Sequence, residues 1–447
     1  MTQSSLFGTS GIRGDADKLF SDQFCFDLGR AFAIFLTLNK QSSLVAVGMD
    51  PRDSSPRIKN WVSQGLLYEG IEVFDQGVSP VPAINQILKS NTSLGGAIMI
   101  SGSHIKPHLN GVKFFCFMAE ILKRHEKHIE KIYLNIKEEV LKIRVQKNNT
   151  AIDNSANESY SNFLYSCAHL KYPAWTVVVD PGDGATSDVL PNFFRRIGLN
   201  VCEINSSVQG NFFSRDTEVE GDFKELQNEV VKRKANFGIG FDSDGDRVIF
   251  IDEKGNYIPG DFTGALIAKN VVGNSVVTPI NTSSVVDYIG KKVIRTKVGS
   301  PHVIAAMQKF KSTFGFEANG GGIFLETMSR DGGRTAVEIL NILAKNKCKF
   351  SQLFKELPKF YIARTKIDYE WRRQDEILDF VKKKIKYIKK DETDGLKLWI
   401  NKSTWILFRS SQNAPEFRVF AESENETKAN NLMLDGINLV KSALKNG

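Results

Sequence analysis

The chain has 447 residues, more than one hydrophobic core organises, so two to four domains are expected. Its 41% hydrophobic and 25% charged residues are ordinary for a globular protein, and no apolar run approaches the ~20 residues that cross a bilayer. The net charge of +8 raises the possibility of a nucleic-acid binder, but the basic residues are dispersed among acidic ones, so the expected partner is an anionic small molecule, with no nucleic acid and no membrane.

The N-terminal MTQSSLFGTSGIRGD lacks the basic-then-apolar layout of a signal peptide. AFAIFLTL at 31–38, flanked by Arg30 and Lys40, predicts a buried helix. SLVAVGMD (43–50) reads as a strand, SPRIKNWVSQGLLYEG as a helix, and LGGAIMISGSH (94–104) as a second strand ending on hydroxyls and a histidine. The layout recurs twice. WTVVVDPGDG (175–184), DVLPNFFRRIGL and NFGIGFDSDGD (236–246) end on carboxylates, and SVVTPINTS (275–283), PHVIAAMQKF and STFGFEANGGG (312–322) end on Glu317 and Asn319. Gly and apolar residues running into a polar loop are the mark of a buried parallel strand, whose carboxyl end faces ligands.

Beyond about residue 365 the pattern changes. LPKFYIARTK (357–366) reads as a linker, DYEWRRQDEILDFVKKKIKYI as a helix, and KLWINKSTWILFRSSQNAPEFRVFAES as strands around a polar loop. The lysine cluster at 381–392 alternates with apolar residues, as an exposed helix face does. The expected fold is α/β: three similar doubly wound mixed α/β domains (1–152, 153–255 and 256–362) and a C-terminal α+β domain (363–447) around a central cleft. Cys25, Cys116, Cys167, Cys202 and Cys348 are scattered and form no CxxC, which predicts reduced thiols in a cytoplasmic protein and no zinc site.

FDSDGDRVIFIDE (241–253) places Asp242, Asp244 and Asp246 at alternate positions, where they repel one another without a cation between them. Three readings compete. A calcium loop would need Gly where Arg247 stands, and helical rather than strand-like flanks. A haloacid-dehalogenase-type loop would make Asp242 a nucleophile and Asp244 an acid. A magnesium site would leave positions open for a phosphate oxygen. A solvated acidic turn is disfavoured by the same repulsion. SGSHIKPHLNGVKFF (101–115) sets Ser103 after an apolar strand, with His104 beside it and Lys113 beyond a turn at Asn110-Gly111. A serine hydroxyl needs activation to act as a nucleophile, and no GxSxG supports an acyl-transfer triad.

Together these loops resemble those of the α-D-phosphohexomutases, which include phosphoglucomutases, phosphomannomutases and phosphoglucosamine mutases. The family's serine loop is close to T-[AG]-S-H-[NI]-P-x-x-x-N-G-x-K and its metal loop to D-G-D-G-D-R. Further matches are FGTSGIRG (7–14), RTKVGSPHV (295–303), GFEANGG (315–321) and FRSSQNAPEFR (408–418), in family order along the whole chain. The resemblance implies that Ser103 carries a phosphoryl group and that Ser103, Asp242, Asp244 and Asp246 bind Mg2+. Arg13, Arg247 and Lys113 would neutralise the moving charge, with His104 or Lys113 handling protons. It also implies that Lys297, Gly299, Glu317 and Asn319 recognise the sugar, and that Arg409, Ser411, Asn413 and Arg418 hold its non-reacting phosphate. The implied reaction interconverts hexose 1- and 6-phosphates, mannose preferred and glucose possible, through a hexose 1,6-bisphosphate that also serves as activator, in a monomer or dimer. Phosphoglucosamine mutase, the aspartyl phosphatase and a non-catalytic sugar-phosphate binder are the alternatives.

The chain departs from the family pattern at three places. Lys106 stands where proline is usual, Gly321 stands where many members have histidine, and SRDTEVEGDF (214–223) lacks the usual prolines, with no chemistry expected of it. EANGG and GSHI instead resemble a phosphomannomutase-like subgroup. Of the other histidines, His302 is a weaker candidate, and His125, His128 and His169 are expected to be structural or solvated.

Overall fold

A computed structural model of the chain describes residues 6–137, 151–208, 215–369, 373–411 and 416–445. The first three units share one plan. In the first, Leu44–Met49 pairs in parallel with Glu72–Val78 and with Gly96–Ile100, and Leu109–Cys116 returns antiparallel to Gly96–Ile100. In the second, Thr176–Asp180 is parallel to Asn200–Glu203 and Phe237–Phe241, and Val248–Asp252 returns antiparallel. In the third, Ser275–Pro279 is parallel to Lys292–Thr296 and Phe314–Phe316, with Gly322–Phe324 returning antiparallel.

Every residue of Gly96–Ile100, Phe237–Phe241 and Phe314–Phe316 is buried, which explains their unbroken apolar character. The polar loops after these strands are hairpin connections rather than crossovers to helices. Each is therefore held by a strand ladder at both ends, which restricts where its side chains can point.

The fourth sheet is antiparallel throughout, in the order Tyr361–Asp368, Glu416–Ser423, Trp405–Ser410, Leu396–Trp399, Lys389–Asp391. Ile377 and Val381 of helix Gln374–Lys384, and Ile437 and Val440 of helix Glu426–Lys445, pack on one face of it.

Two sequence expectations change here. The segment 357–366 is largely the edge strand Tyr361–Asp368, which pairs along its whole length with Glu416–Ser423 and runs through the expected boundary at 362/363. The helix expected from residue 368 is described only over Gln374–Lys384. Elsewhere AFAIFLTL lies in the buried helix Asp22–Leu38, capped by Ser21, whose hydroxyl accepts from the Phe24 amide.

One core runs through the first three units, with Ile84 and Phe115, Phe241 and Phe250, and Phe314 and Leu340 in the same cluster. The fourth unit joins through a smaller cluster of Ile280, Trp405, Leu407 and Phe420. Polar links reinforce that joint: Lys397 donates to the Ile280 carbonyl at 2.8 Å, and Arg364 meets Asp261 at 3.0 Å and Glu218 at 3.2 Å. Among the described residues no helix is long and apolar enough to cross a membrane.

Candidate active site

Ser103 sits in the first hairpin loop, fully buried, with φ of +50°. A left-handed serine costs on the order of 1 kcal/mol, so its surroundings must hold it there. Arg52 does this from the end of strand Leu44–Met49. Its guanidinium donates to the carbonyls of Ser103 (2.5 Å), Ile105 (2.8 Å), Lys106 (2.9 Å) and Leu109 (3.0 Å). Asp50 completes the clamp, accepting from Arg52 Nε at 3.0 Å, Ser101 Oγ at 2.8 Å and the Gly102 amide at 3.1 Å. A Cβ at Gly102 would fall 2.6 Å from the guanidinium carbon, so the close approach requires glycine. Because the clamp grips carbonyls, lysine in place of proline at 106 leaves it intact.

The second unit's loop faces this serine. Ser103 Oγ donates to Asp242 Oδ2 at 2.9 Å, and Ser243 Oγ donates to the Ser103 carbonyl at 2.7 Å. One oxygen each from Asp242, Asp244 and Asp246 lie within 4.8 Å of one another, all buried. Lys113 Nζ bonds Asp244 Oδ2 at 2.7 Å and Asp246 Oδ2 at 2.8 Å.

Asp244 Oδ1 and Asp246 Oδ1 are buried without a hydrogen-bond partner. Buried orphan carboxylate oxygens are costly unless something binds them, and a hard divalent cation takes such ligands. The triad therefore fits a metal. Burial, then the charges of Asp244 and Asp246, push Asp242 far above the usual carboxylate range. Burial also opposes ionisation of Asp246, but Arg330 and Lys113 hold it below that range.

Cations ring the site. Arg13 is half-buried, and burial and the like charges of Arg247 and Arg330 pull it down to about 10. Arg247 lies 3.6 Å from Asp242 and 3.7 Å from Asp246 and Asp216, too far for hydrogen bonds, and its Nε is unpartnered. Guanidinium donors left without hydrogen bonds beside the serine, Arg13 Nε and Arg247 Nε, are what a phosphate site requires. Burial first, then Arg247 and Arg13, hold His104 well below the ordinary imidazole value, so it is neutral. Its Nδ1 lies 3.4 Å from Ser103 Oγ. Burial works against the charge on Lys113, but Asp244 and Asp246 outweigh it and keep the group protonated.

The third hairpin supplies Glu317, whose carboxylate accepts from the Gly299 amide at 3.0 Å and from Arg330 Nη1 at 3.0 Å. Asn319 folds its own turn, accepting the Gly321 amide at Oδ1 (3.1 Å), while its carbonyl accepts Thr217 Oγ1 (2.8 Å). Thr217 and Asp216 thus bring residues 215–223, of which no chemistry was expected, against both the Glu317–Asn319 loop and Arg247.

In the fourth unit Arg409 and Arg418 stand directly opposite in the ladder. Like charges there are unfavourable unless anions join them, and each has one carboxylate, Asp394 at 2.7 Å and Glu416 at 3.2 Å. Arg409 Nη2 and Arg418 Nε are buried without partners. Arg409 Nε donates to Asp394 Oδ2 at 2.7 Å, and the same oxygen accepts the Val298 amide at 2.9 Å. Lys297 is exposed and, with Asp394 and Arg409, lines a 580 Å³ cavity. Ser411 is buried, with its amide on the Glu416 carbonyl at 2.8 Å, and Asn413 lies outside the described residues.

One line of polar contacts therefore crosses all four units. It runs from Ser103 to the aspartate loop, then through Arg330 to Glu317 and the 298–299 amides, and through Asp394 to Arg409. Sequence reasoning missed Arg52, Asp50, Arg330 and Asp394, whose importance lies in contacts with residues far along the chain. The one available signal was the DPR at 50–52, at the end of a strand whose neighbour Gly96–Ile100 leads into the Ser103 loop.

Three family profiles match in succession: phosphoglucomutase/phosphomannomutase alpha/beta/alpha domain I over residues 4–140, domain II over 158–255 and domain III over 259–361. A phosphoglucomutase/phosphomannomutase of Thermococcus kodakarensis is 35% identical, covering 98% of this chain and 99% of that protein. A phosphoglucosamine/phosphogalactosamine mutase of Sulfurisphaera tokodaii is 30% identical, covering 96% and 97%. The crystal structure of a phosphoglucomutase/phosphomannomutase family protein from Burkholderia thailandensis superimposes with a TM-score of 0.82 at 21% identity, covering 99% of this chain and 98% of that one.

Proposed function

This chain belongs to the phosphoglucomutase/phosphomannomutase family, the α-D-phosphohexomutases, and from that premise we propose that it interconverts hexose 1-phosphate and hexose 6-phosphate through a phosphoserine at Ser103. The observation that carries the reading is the 2.9 Å contact between Ser103 Oγ and Asp242 in a buried triad with orphan carboxylate oxygens. Asp242, Asp244 and Asp246 would hold Mg2+, which when bound supplies positive charge beside the moving phosphoryl group.

The chain's own groups account for the rest. The phosphoryl group passes from Ser103 Oγ to the free hydroxyl of a hexose monophosphate, giving a hexose 1,6-bisphosphate. The neutral imidazole of His104, its Nδ1 3.4 Å from Ser103 Oγ, passes the hydroxyl proton to Ser103 Oγ as that oxygen leaves. Lys113, fixed between two carboxylates, acts as a permanent charge rather than a base, and Arg13 and Arg247 bind the non-bridging oxygens. Arg409 and Arg418, with Ser411 and Asn413, hold the other phosphate. The sugar then turns over in the cleft and its second phosphate returns to Ser103 as the proton goes back.

Mannose and glucose phosphates are the proposed substrates. Relatives that act on amino sugars support glucosamine phosphate as a second reading. The geometry favours a neutral hexose, because Glu317 already has a cation partner in Arg330 and has little charge left to attract an ammonium group. The five cysteines are all free, which supports a reducing, cytoplasmic setting.

Purified protein with Mg2+ and a trace of hexose 1,6-bisphosphate should isomerise mannose and glucose 1-phosphates. Glucosamine 1-phosphate should turn over with kcat/KM lower by about 10-fold or more. Ser103→Ala should lose at least about 1,000-fold in kcat. Absence of isomerisation on every hexose phosphate, or full activity in the serine variant, contradicts the proposal.

A further inference from the structure

Arg330 precedes helix Gly332–Asn346 and is 4% exposed. Its Nη1 donates to Glu317 Oε2 at 3.0 Å and its Nη2 to Asp246 Oδ2 at 2.7 Å. The other oxygen of Glu317 accepts the Gly299 amide, and Asp246 Oδ2 is shared with Lys113. One planar guanidinium thus spans a carboxylate of the second unit's aspartate loop and a carboxylate of the third unit's sugar loop. A lysine ammonium, a compact point charge, does not reproduce that two-armed geometry.

The space for Arg330 is made by Gly321. A Cβ at Gly321 would lie 2.7 Å from Arg330 Cδ and 3.0 Å from Cγ, so a side chain at 321 and this placement of the arginine exclude each other.

We propose that Arg330 is a positioning residue that couples the metal-binding loop to sugar recognition, and that Gly321 is the complementary vacancy that admits it. The inference rests on the reaction proposed above. Its two consequences have opposite signs. A fixed cation beside Asp246 opposes a divalent ion, so Arg330 weakens metal binding. The same cation fixes the Glu317 carboxylate in one orientation and neutralises it, so Arg330 strengthens binding of a neutral sugar and disfavours an amino sugar. A residue that only maintained the fold would affect both affinities in the same direction.

The test is Arg330→Met in the full chain, with Mg2+ binding measured by calorimetry and hexose 6-phosphate kinetics resolved into KM and kcat. Mg2+ affinity should rise about 5-fold, from removal of the neighbouring cation. KM should rise about 10-fold with a smaller change in kcat, and selectivity against glucosamine 6-phosphate should shrink. Gly321→Ala should reproduce both shifts by displacing the arginine, and the double variant should be no worse than the single ones. If Arg330→Met does not fold, Arg330→Lys decides: it reaches one carboxylate but not both, so KM should still rise. Unchanged or weaker Mg2+ affinity in Arg330→Met, or unchanged KM in either Arg330 variant, overturns the coupling. A wild-type protein that binds neither Mg2+ nor hexose phosphate overturns the reaction and the coupling with it.

Discussion

Arg52 shows how much of the geometry of Ser103, the proposed phosphoryl carrier, depends on a residue that grips only the backbone of its loop. It holds a left-handed, buried serine through four backbone carbonyls, with Asp50 as its counter-charge. Arg52→Met would leave Asp50 buried and unpaired, so stability should fall by about 3–5 kcal/mol in chemical denaturation. Displacement of Ser103 by about 1 Å should lower kcat by about 100-fold. Arg52→Lys keeps a charge near Asp50 but cannot span four carbonyls, so it should lose a comparable factor in kcat at smaller cost in stability. Wild-type kcat in both variants would contradict the clamp. Ser103, the three aspartates, Arg409 and Arg418 could be proposed from the sequence because each lies in a short motif. Arg52 and Arg330 were not, because the contacts that give them a role join positions about 50 and 84 residues apart in the chain.

At the scale of elements, the apolar strands running into polar loops announced the three-fold repeat and the ends where chemistry would gather. The antiparallel return after each loop was not legible, since an apolar run carries no sign of its partner's direction. The helix Lys123–Ile136 illustrates what such elements contribute. Its first turn carries Lys123, which donates to the Gly8 carbonyl, and Glu126, which pairs with Lys123 at 2.7 Å, so the helix anchors the loop that leads into the strand Ile12–Asp15 bearing Arg13. Burial pushes Glu126 from the ordinary 4.5 up to about 7 against the pull of Lys123. Between those values the folded protein retains a proton that the unfolded chain has released. This contribution to stability is therefore complete below pH 4.5 and disappears as pH rises through 7. The wild-type Tm should fall across that window more steeply than that of Glu126→Gln. Equal slopes would contradict the assignment.

At the scale of the molecule, the site exists only because the units are packed together. Ser103 belongs to the first, the aspartates to the second, Glu317 to the third and the opposed arginines to the fourth. The first three share a core, so the serine and the aspartates face each other across a packed junction, whereas the fourth joins through a small cluster. A sequence lists these loops in order but does not give the distance between them. The 2.9 Å contact between Ser103 Oγ and Asp242 supplies it, and the proposed reaction places phosphoryl transfer on Ser103 rather than on Asp242. The direct measurement is to incubate the protein with Mg2+ and hexose 1,6-bisphosphate carrying labelled phosphate, locate the label by peptide mass spectrometry, and chase it with unlabelled hexose 6-phosphate. The account predicts one labelled phosphoryl group on Ser103 that returns to sugar on the chase. Label on Asp242, or label released only as inorganic phosphate, would contradict it.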